Sequence, residues 1–443
     1  MDVVHAAMAQ RGTTVAREIR GGVTTFLTMT YILFANPAIL SAAGVPLESA
    51  IAATAAAAAV CSVLMGLGAN FPIALAPGMG LNAVVAFQVA PAAGSWQAAM
   101  GLVVVDGLVV LALVLFGLRE AVMLSIPPDL RRAIGGGIGL FIALIGAVNA
   151  RLVVVPESTI AGLAGDPGGI LPPVTAGTLR SPETGLALAG LVVIGIGLVL
   201  GIRGAIVLGI LFSTGVALLL GVARLPEGMW LGLPQFDTIG QADVAGALRL
   251  SLVPMLLSLV LVDFFDTLGT ASAIAEEAGL QDDHGGIPGL RRILAVDAVS
   301  ASIGGLFGVS SVTSYVESAA GVAEGARTGL HSVVVGLLFA LAMFAAPLAG
   351  IVPAAATAPA LIVVGFLMCQ QVTRIDFRKV ETALPAFVLL VTIPFTYSIS
   401  HGIGYGFVTF VLIHLLSGRG RSVHPLMYAT AAAFLAYLVL ERR

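Results

Sequence analysis

Asp266 lies in Leu261-Val-Asp-Phe-Phe-Asp-Thr-Leu-Gly-Thr270, deep in a long apolar stretch, where a carboxylate is costly enough to mark a function. If the stretch is helical, Asp263 three residues before it and Thr270 four after it share its face. Asp106, Asp297, Glu317 and Glu324 are the other carboxylates at such positions. Glu317 follows Ser310-Ser-Val-Thr313 and would sit in the first turn of a half-helix, where the positive end of the dipole stabilises an anion; the alternative is a plain N-terminal cap. Asn82 would likewise start a half-helix after Pro77-Gly-Met-Gly80, and its amide both donates and accepts, although it too could be only a cap. Asp297, between glycine- and serine-bearing faces, is expected to orient a neighbour, and Asp106 and Glu324 read as structural or boundary groups.

These groups suit the binding of a small polar solute and the uptake and release of protons rather than bond cleavage. No GxSxG, HExxH or Walker pattern occurs, and Gly135-Gly-Gly-Ile-Gly139 lies within an apolar span rather than in a phosphate-binding loop. His331, His401 and His414 are isolated, and Cys61 and Cys369 sit in apolar stretches without a CxxC partner, so the expectation is no metal site and no enzyme. A channel and a carrier for anions such as sulfate or dicarboxylate stay open on these residues, although the anion carrier should place a positive group beside the broken stretches, and neither stretch has one.

The elements that must position these side chains are membrane spans. Of the 443 residues 58% are hydrophobic and 10% charged, against about 25% charged in a soluble domain. Arginine supplies all the basic residues but Lys379, without a basic block that would argue for nucleic acid. Runs long enough to cross a bilayer fall at 22–40, 48–69, 97–117, 131–148, 184–202 and 205–222, then at 248–274, 290–308, 328–347, 354–371, 382–398, 401–417 and 424–441. Two further stretches, 72–91 and 309–325, are apolar but broken by Pro, Gly and polar residues.

Each broken stretch follows two full spans, and an odd number of spans, seven, separates the two, so the halves must have opposite orientation. That is the pattern of an inverted-repeat transporter with its site near the midplane. Non-helical backbone is tolerated at that depth only where it is buried in protein or lines a cavity, which nominates residues 74–82 and 309–317. With the N-terminus cytoplasmic, Arg119, Arg131, Arg132, Arg291, Arg292, Arg374, Arg378, Lys379, Arg419 and Arg421 all fall inside. A fifteenth crossing at 424–441 would put Arg442 and Arg443 outside, leaving spanning and interfacial placements of that run open. The first apolar run is too long, and too poor in a cleavage site, for a removable signal peptide, so residues 1–21 are expected to form a cytoplasmic tail.

Four motifs in order over the chain resemble the adenine/guanine/hypoxanthine permeases, the AzgA-like branch of the xanthine/uracil permease superfamily. They are Gly22-Val-Thr-Thr-Phe-Leu-Thr-Met-Thr-Tyr-Ile-Leu-Phe-Ala-Asn-Pro37, Ala76-Pro-Gly-Met-Gly-Leu-Asn-Ala83, Asp263-Phe-Phe-Asp-Thr-Leu-Gly-Thr270, and Thr313-Ser-Tyr-Val-Glu-Ser-Ala-Ala-Gly321 with Arg327-Thr-Gly329. The related xanthine and uracil carriers have a Gln-Asn or Glu-Asn pair where this chain has Glu317-Ser318, which favours the purine branch.

The resemblance implies an all-α protein of about 14 spans in a 7+7 inverted repeat, located in the plasma membrane. It implies a core domain (22–117 and 248–347) and a gate domain (131–222 and 354–417), with the core sliding as an elevator to carry a purine base with a proton. By position, Asp266, Glu317 and Asn82 correspond to the substrate contacts, and the backbone of the broken stretches, at Ala76, Gly80, Ser311, Val312 and Thr313, would add hydrogen bonds. Asp263, Thr267, Thr270, Tyr315 and Phe265 are further candidates, with Phe264, Phe265 and Tyr315 as walls for a planar base. Asp266, Glu317 and Asp297 are the candidates for proton coupling, the proton being the coupling ion and no other cofactor being expected. A homodimer is a candidate assembly.

Overall fold

The computed structural model describes residues 8, 11–117, 125–156, 159, 174–178, 180–202, 204–223, 233–281, 287–345 and 351–440; within these, the side chains at 264, 265, 268, 269, 272, 437 and 440 are outside the description. Phe264 and Phe265, Arg119, and Arg442 with Arg443 therefore lie outside the described side chains or residues.

The first half runs α1 (Val15–Met29), α2 (Ile32–Ser41), α3 (Leu47–Gly68), β1 (Leu75–Pro77), α4 (Met79–Ala93), α5 (Trp96–Leu115), α6 (Pro128–Asn149), a short pair β2 (Val153–Val154) and β3 (Thr175–Ala176), α7 (Pro182–Val199) and α8 (Ala205–Leu219). The second half runs α9 (Val253–Glu277), α10 (Leu290–Phe307), β4 (Val312–Ser314), α11 (Ser318–Ala323), α12 (Gly329–Ala342), α13 (Ala354–Cys369), α14 (Val380–Thr396) and α15 (Ile399–Leu416), and α16 (Pro425–Leu440) follows, packed on α15. Both broken stretches are a strand of three residues leading into a helix, in corresponding places of the halves.

Packing repeats the relation. The second span of each half packs on the fourth of the other, α3 on α12 and α10 on α5, while the fifth spans, α6 and α13, pack on each other. Glycine allows the close approach in each pair. A Cβ on Gly66 would meet the Gly329 carbonyl and Val333, and one on Gly336 would meet Ala59 and Val63. In the partner pair Gly107 faces Ala298 and Ser302, and Gly305 faces Met100 and Val104. Gly139 and Gly365 abut between α6 and α13. In lipid, where apolar burial gives helices no reason to associate, such close van der Waals packing does. The chain is a 7+7 inverted repeat, and its helices form two groups, α1–α5 with α9–α12 and α6–α8 with α13–α15.

Local chemistry sets the breaks. The first span is interrupted at Thr30 and Tyr31, where the Thr28 and Thr30 hydroxyls donate to the carbonyls of Thr25 and Phe26 one turn back at 2.8 and 2.6 Å, a pattern that bends helices. In α4 a π-helical turn spans Val85–Val89; Pro91, just beyond it, brings no N–H to the ladder and its ring crowds the carbonyl a turn earlier, which the wider turn relieves. Ser310 takes a left-handed φ of +73°, two residues after Gly308 at +75°, and the chain turns there from α10 into β4.

α1 begins at Val15, so its helix takes in residues expected in the tail. The reason is pairing. Glu18 is fully buried and accepts from the backbone N–H groups of Arg327, Thr328 and His331 at 2.7, 3.1 and 3.1 Å, capping α12 with a carboxylate from the other half of the chain. Arg20 pairs with Glu324 at 2.6 Å. Replacing Glu18 by Ala is expected to lower stability by about 1–3 kcal/mol through those orphaned donors, seen as a lower unfolding midpoint of the purified protein, with Glu18→Gln less affected because one oxygen still accepts.

Candidate substrate-binding site

β1 and β4 pair antiparallel at the centre of the first helix group, with Leu75 opposite Ser314, Ala76 opposite Thr313 and Pro77 opposite Val312. Two short strands cannot satisfy each other completely, and serines complete the pattern. Ser62 Oγ donates to the Leu75 carbonyl at 3.0 Å and accepts its N–H at 2.9 Å; Ser318 Oγ accepts from Ala74 N–H at 3.0 Å; Ser332 Oγ lies 2.9 and 2.8 Å from the carbonyls of Phe71 and Ile73. Gly78 N–H donates to the Ser311 carbonyl at 2.9 Å and Tyr315 N–H to that of Ala74 at 3.0 Å. Every residue from Ile73 to Leu81 is buried, so each of these bonds replaces one that water cannot supply.

α9 passes beside the pair as an unbroken helix, bringing Thr267 to β4. Asp297 of α10 ties the two together: one carboxylate oxygen accepts from Thr267 Oγ1, and the other from Ser314 Oγ at 2.8 Å. Thr267 Oγ1 also lies 3.2 Å from Thr313 Oγ1. The expected orienting role of Asp297 thus has a geometry, since the carboxylate fixes the turn of α9 that carries Asp266 against the strand that leads to Glu317. Asp263 and Thr270 are buried on the same helix, and the Asp263 carbonyl accepts from Thr267 Oγ1 at 3.1 Å.

Asp266 and Glu317 keep part of their surface accessible, whereas Asp263, Thr267 and Asp297 are fully buried. Asp266, Asp297 and Glu317 are close enough for their charges to interact. Glu317 stands at the N-cap of α11 as its position implied, yet its side chain makes no capping bond and instead accepts from Tyr31 Oη at 2.8 Å. Asn82 is the fourth residue of α4 rather than its cap, which is Gly78. Its amide is fully buried, and among the described residues neither Nδ2 nor Oδ1 has a hydrogen-bond partner. Ser311 Oγ is unpartnered in the same way, although the Ser311 carbonyl is used in the strand contact. Gly80 presses α4 against α6, since a Cβ there would meet Ile138 at 2.8 Å, so the broken stretch lies where the two helix groups touch. Tyr315, expected as a wall, donates its hydroxyl to the Pro77 carbonyl and so braces the strands.

Sequence reasoning missed Tyr31 and Glu18. Tyr31 is 286 residues from Glu317, and its only signal was its place in the Thr-rich motif of the first span. Among the described residues no group of His, Cys, Asp and Glu is arranged to hold a metal ion. His331 pairs with Thr25 Oγ1 at 2.8 Å and His414 with the Phe410 carbonyl at 2.9 Å, as expected of isolated histidines.

The sequence profile of the Permease family (Xan_ur_permease) matches residues 16–405. The chain belongs to the xanthine/uracil permease family. Within it, the chain is 39% identical to the adenine permease AdeP of Escherichia coli over 98% of this chain and 94% of that protein. It is also 39% identical to the guanine/hypoxanthine permease PbuG of Bacillus subtilis over 97% of each. Among solved structures, the transmembrane domain of the cyanobacterial bicarbonate transporter BicA superposes with a TM-score of 0.63 at 18% identity, covering 87% of this chain and 96% of that one, a likeness of fold alone. This permease is a multi-pass membrane transporter and not an enzyme.

Asp297→Asn tests the brace. Its amide accepts from one hydroxyl and presents an N–H to the other, so protein that still folds is expected to lose uptake by about tenfold or more, the cost of one lost bond to a charged acceptor. Uptake per mole of membrane-inserted protein measures it, and wild-type uptake would contradict the assigned role.

Proposed function

We propose that this permease imports a purine nucleobase, adenine, guanine or hypoxanthine, together with a proton across the plasma membrane, with its N-terminus in the cytoplasm. The observation that carries the reading is the pair of partly accessible carboxylates, Asp266 and Glu317, in a core that also holds the paired strands and the buried amide of Asn82, unpartnered among the described residues. A purine offers N–H donors and ring-nitrogen acceptors on one flat edge. Carboxylates take the donors, and an amide or a backbone N–H serves the acceptors. Relatives named as adenine and as guanine/hypoxanthine permeases support the substrate class.

Asp266 or Glu317 takes up the proton, with Asp297 tied to the same network. Coupling requires only that the base bind one protonation state more tightly than the other. The helices α1–α5 with α9–α12 act as the core that slides against the gate of α6–α8 with α13–α15. No cofactor besides the proton is invoked.

Against an anion carrier of the same fold stands the site's charge: the carboxylates Asp297 and Glu317 lie within electrostatic reach of Asp266. The test is uptake of radiolabelled adenine, guanine, hypoxanthine, xanthine and uracil into cells lacking their own nucleobase permeases, with and without a protonophore. Saturable purine uptake that collapses with protonophore, and falls to background in Asp266→Ala and Glu317→Ala, is the expected result. Uptake of none of these bases by well-inserted protein would overturn the substrate class, and purine uptake unaffected by protonophore would overturn the coupling.

A further inference from the structure

We propose that Tyr31 is a positioning residue of the substrate site: its hydroxyl holds one oxygen of Glu317 and so leaves the other to face the solute. The inference rests on the proposed role of Glu317 in binding the base. Its geometric part stands independently.

The first span passes from α1 to α2 through Thr30 and Tyr31, which keep right-handed helical backbone while the ladder between the two segments is interrupted. The Thr28 and Thr30 hydroxyls donate to the carbonyls of Thr25 and Phe26 one turn back, and Tyr31 at this point is buried. Only 1% of Tyr31 is accessible, although it is among the largest side chains in the interior. A buried phenol needs a partner for its O–H, and the partner is Glu317 Oε1 at 2.8 Å.

Glu317 itself keeps accessible surface. One oxygen is thus held by Tyr31 while the residue as a whole keeps part of its surface accessible. A carboxylate on three rotatable bonds would spread its acceptors over several directions, whereas one anchored by a fixed donor presents the second oxygen in a single direction. Tyr31 also lies within electrostatic reach of Asp266 and Tyr315, so it belongs to the same cluster. Neighbouring contacts hold the arrangement: Tyr315 is fastened to Pro77, and Ser318, adjacent to Glu317, to Ala74. A side chain of the first span thus holds one oxygen of a binding group on the tenth.

The experiment uses full-length protein purified and reconstituted in lipid, as wild type, Tyr31→Phe and Glu317→Gln. Tyr31→Phe removes one oxygen and keeps the ring, so packing is preserved. Two quantities are read: KM and maximal rate of purine uptake into proteoliposomes, and the infrared carboxyl band of Glu317, identified by its loss in Glu317→Gln. The expected result is a KM raised about tenfold, the scale of a hydrogen bond to a charged group, with maximal rate per mole of protein within about twofold and the Glu317 band displaced. A merely structural role would lower the rate or the yield and leave the band unmoved.

An unmoved band overturns the contact, whatever the kinetics. A displaced band with unchanged KM overturns the positioning role. If wild-type protein carries no purine while the band still moves, the contact stands and the substrate reading fails.

Discussion

The antiparallel pairing of residues 75–77 with 312–314 is the contact on which the rest of this permease depends. Three residues of each half leave the helical state inside an apolar medium, where an unpaired N–H or carbonyl costs several kcal/mol. Each strand answers the other, and Ser62, Ser318 and Ser332 supply what two short strands cannot. Because the partner strand comes from the opposite half, neither stretch is stable until the repeats interlock. The same crossing sets the start of α4, with Asn82, beyond the Pro77–Val312 end of the pair and the start of α11, with Glu317, beyond the Leu75–Ser314 end.

Around this crossing, the carboxylates differ in exposure. Asp297 is buried and fully engaged by Thr267 and Ser314, and Glu18 is buried and engaged by backbone N–H groups; each fastens one element to another. Asp266 and Glu317 are left partly accessible.

Much of this was legible in the sequence, for physical reasons. Charges are so unfavourable in apolar spans that Asp266, Asp297 and Glu317 stood out by rarity, and Pro72, Pro77 and the Ser310-Ser311 pair announced backbone that could not stay helical. The odd number of spans between the breaks gave the inversion. What was not legible joins residues far apart in the chain. Nothing near Tyr31 announces Glu317, nothing near Glu18 announces α12, and Glu18 read as part of a polar tail because its acceptors are used by another segment. Asn82 was expected at the start of its half-helix, but Met79, three residues earlier, already continues as helix once Gly78 has made the turn. Phe265, a candidate wall, lies outside the described side chains.

The central claim is that the two broken stretches and the carboxylates beside them form one site for a purine. The most direct measurement is a structure of the permease in lipid, determined by electron cryomicroscopy with a saturating purine. The account predicts planar density against residues 76–82 and 311–314, its edge within hydrogen-bond distance of Asp266 and Glu317. Purine density elsewhere, with those carboxylates untouched, would contradict it.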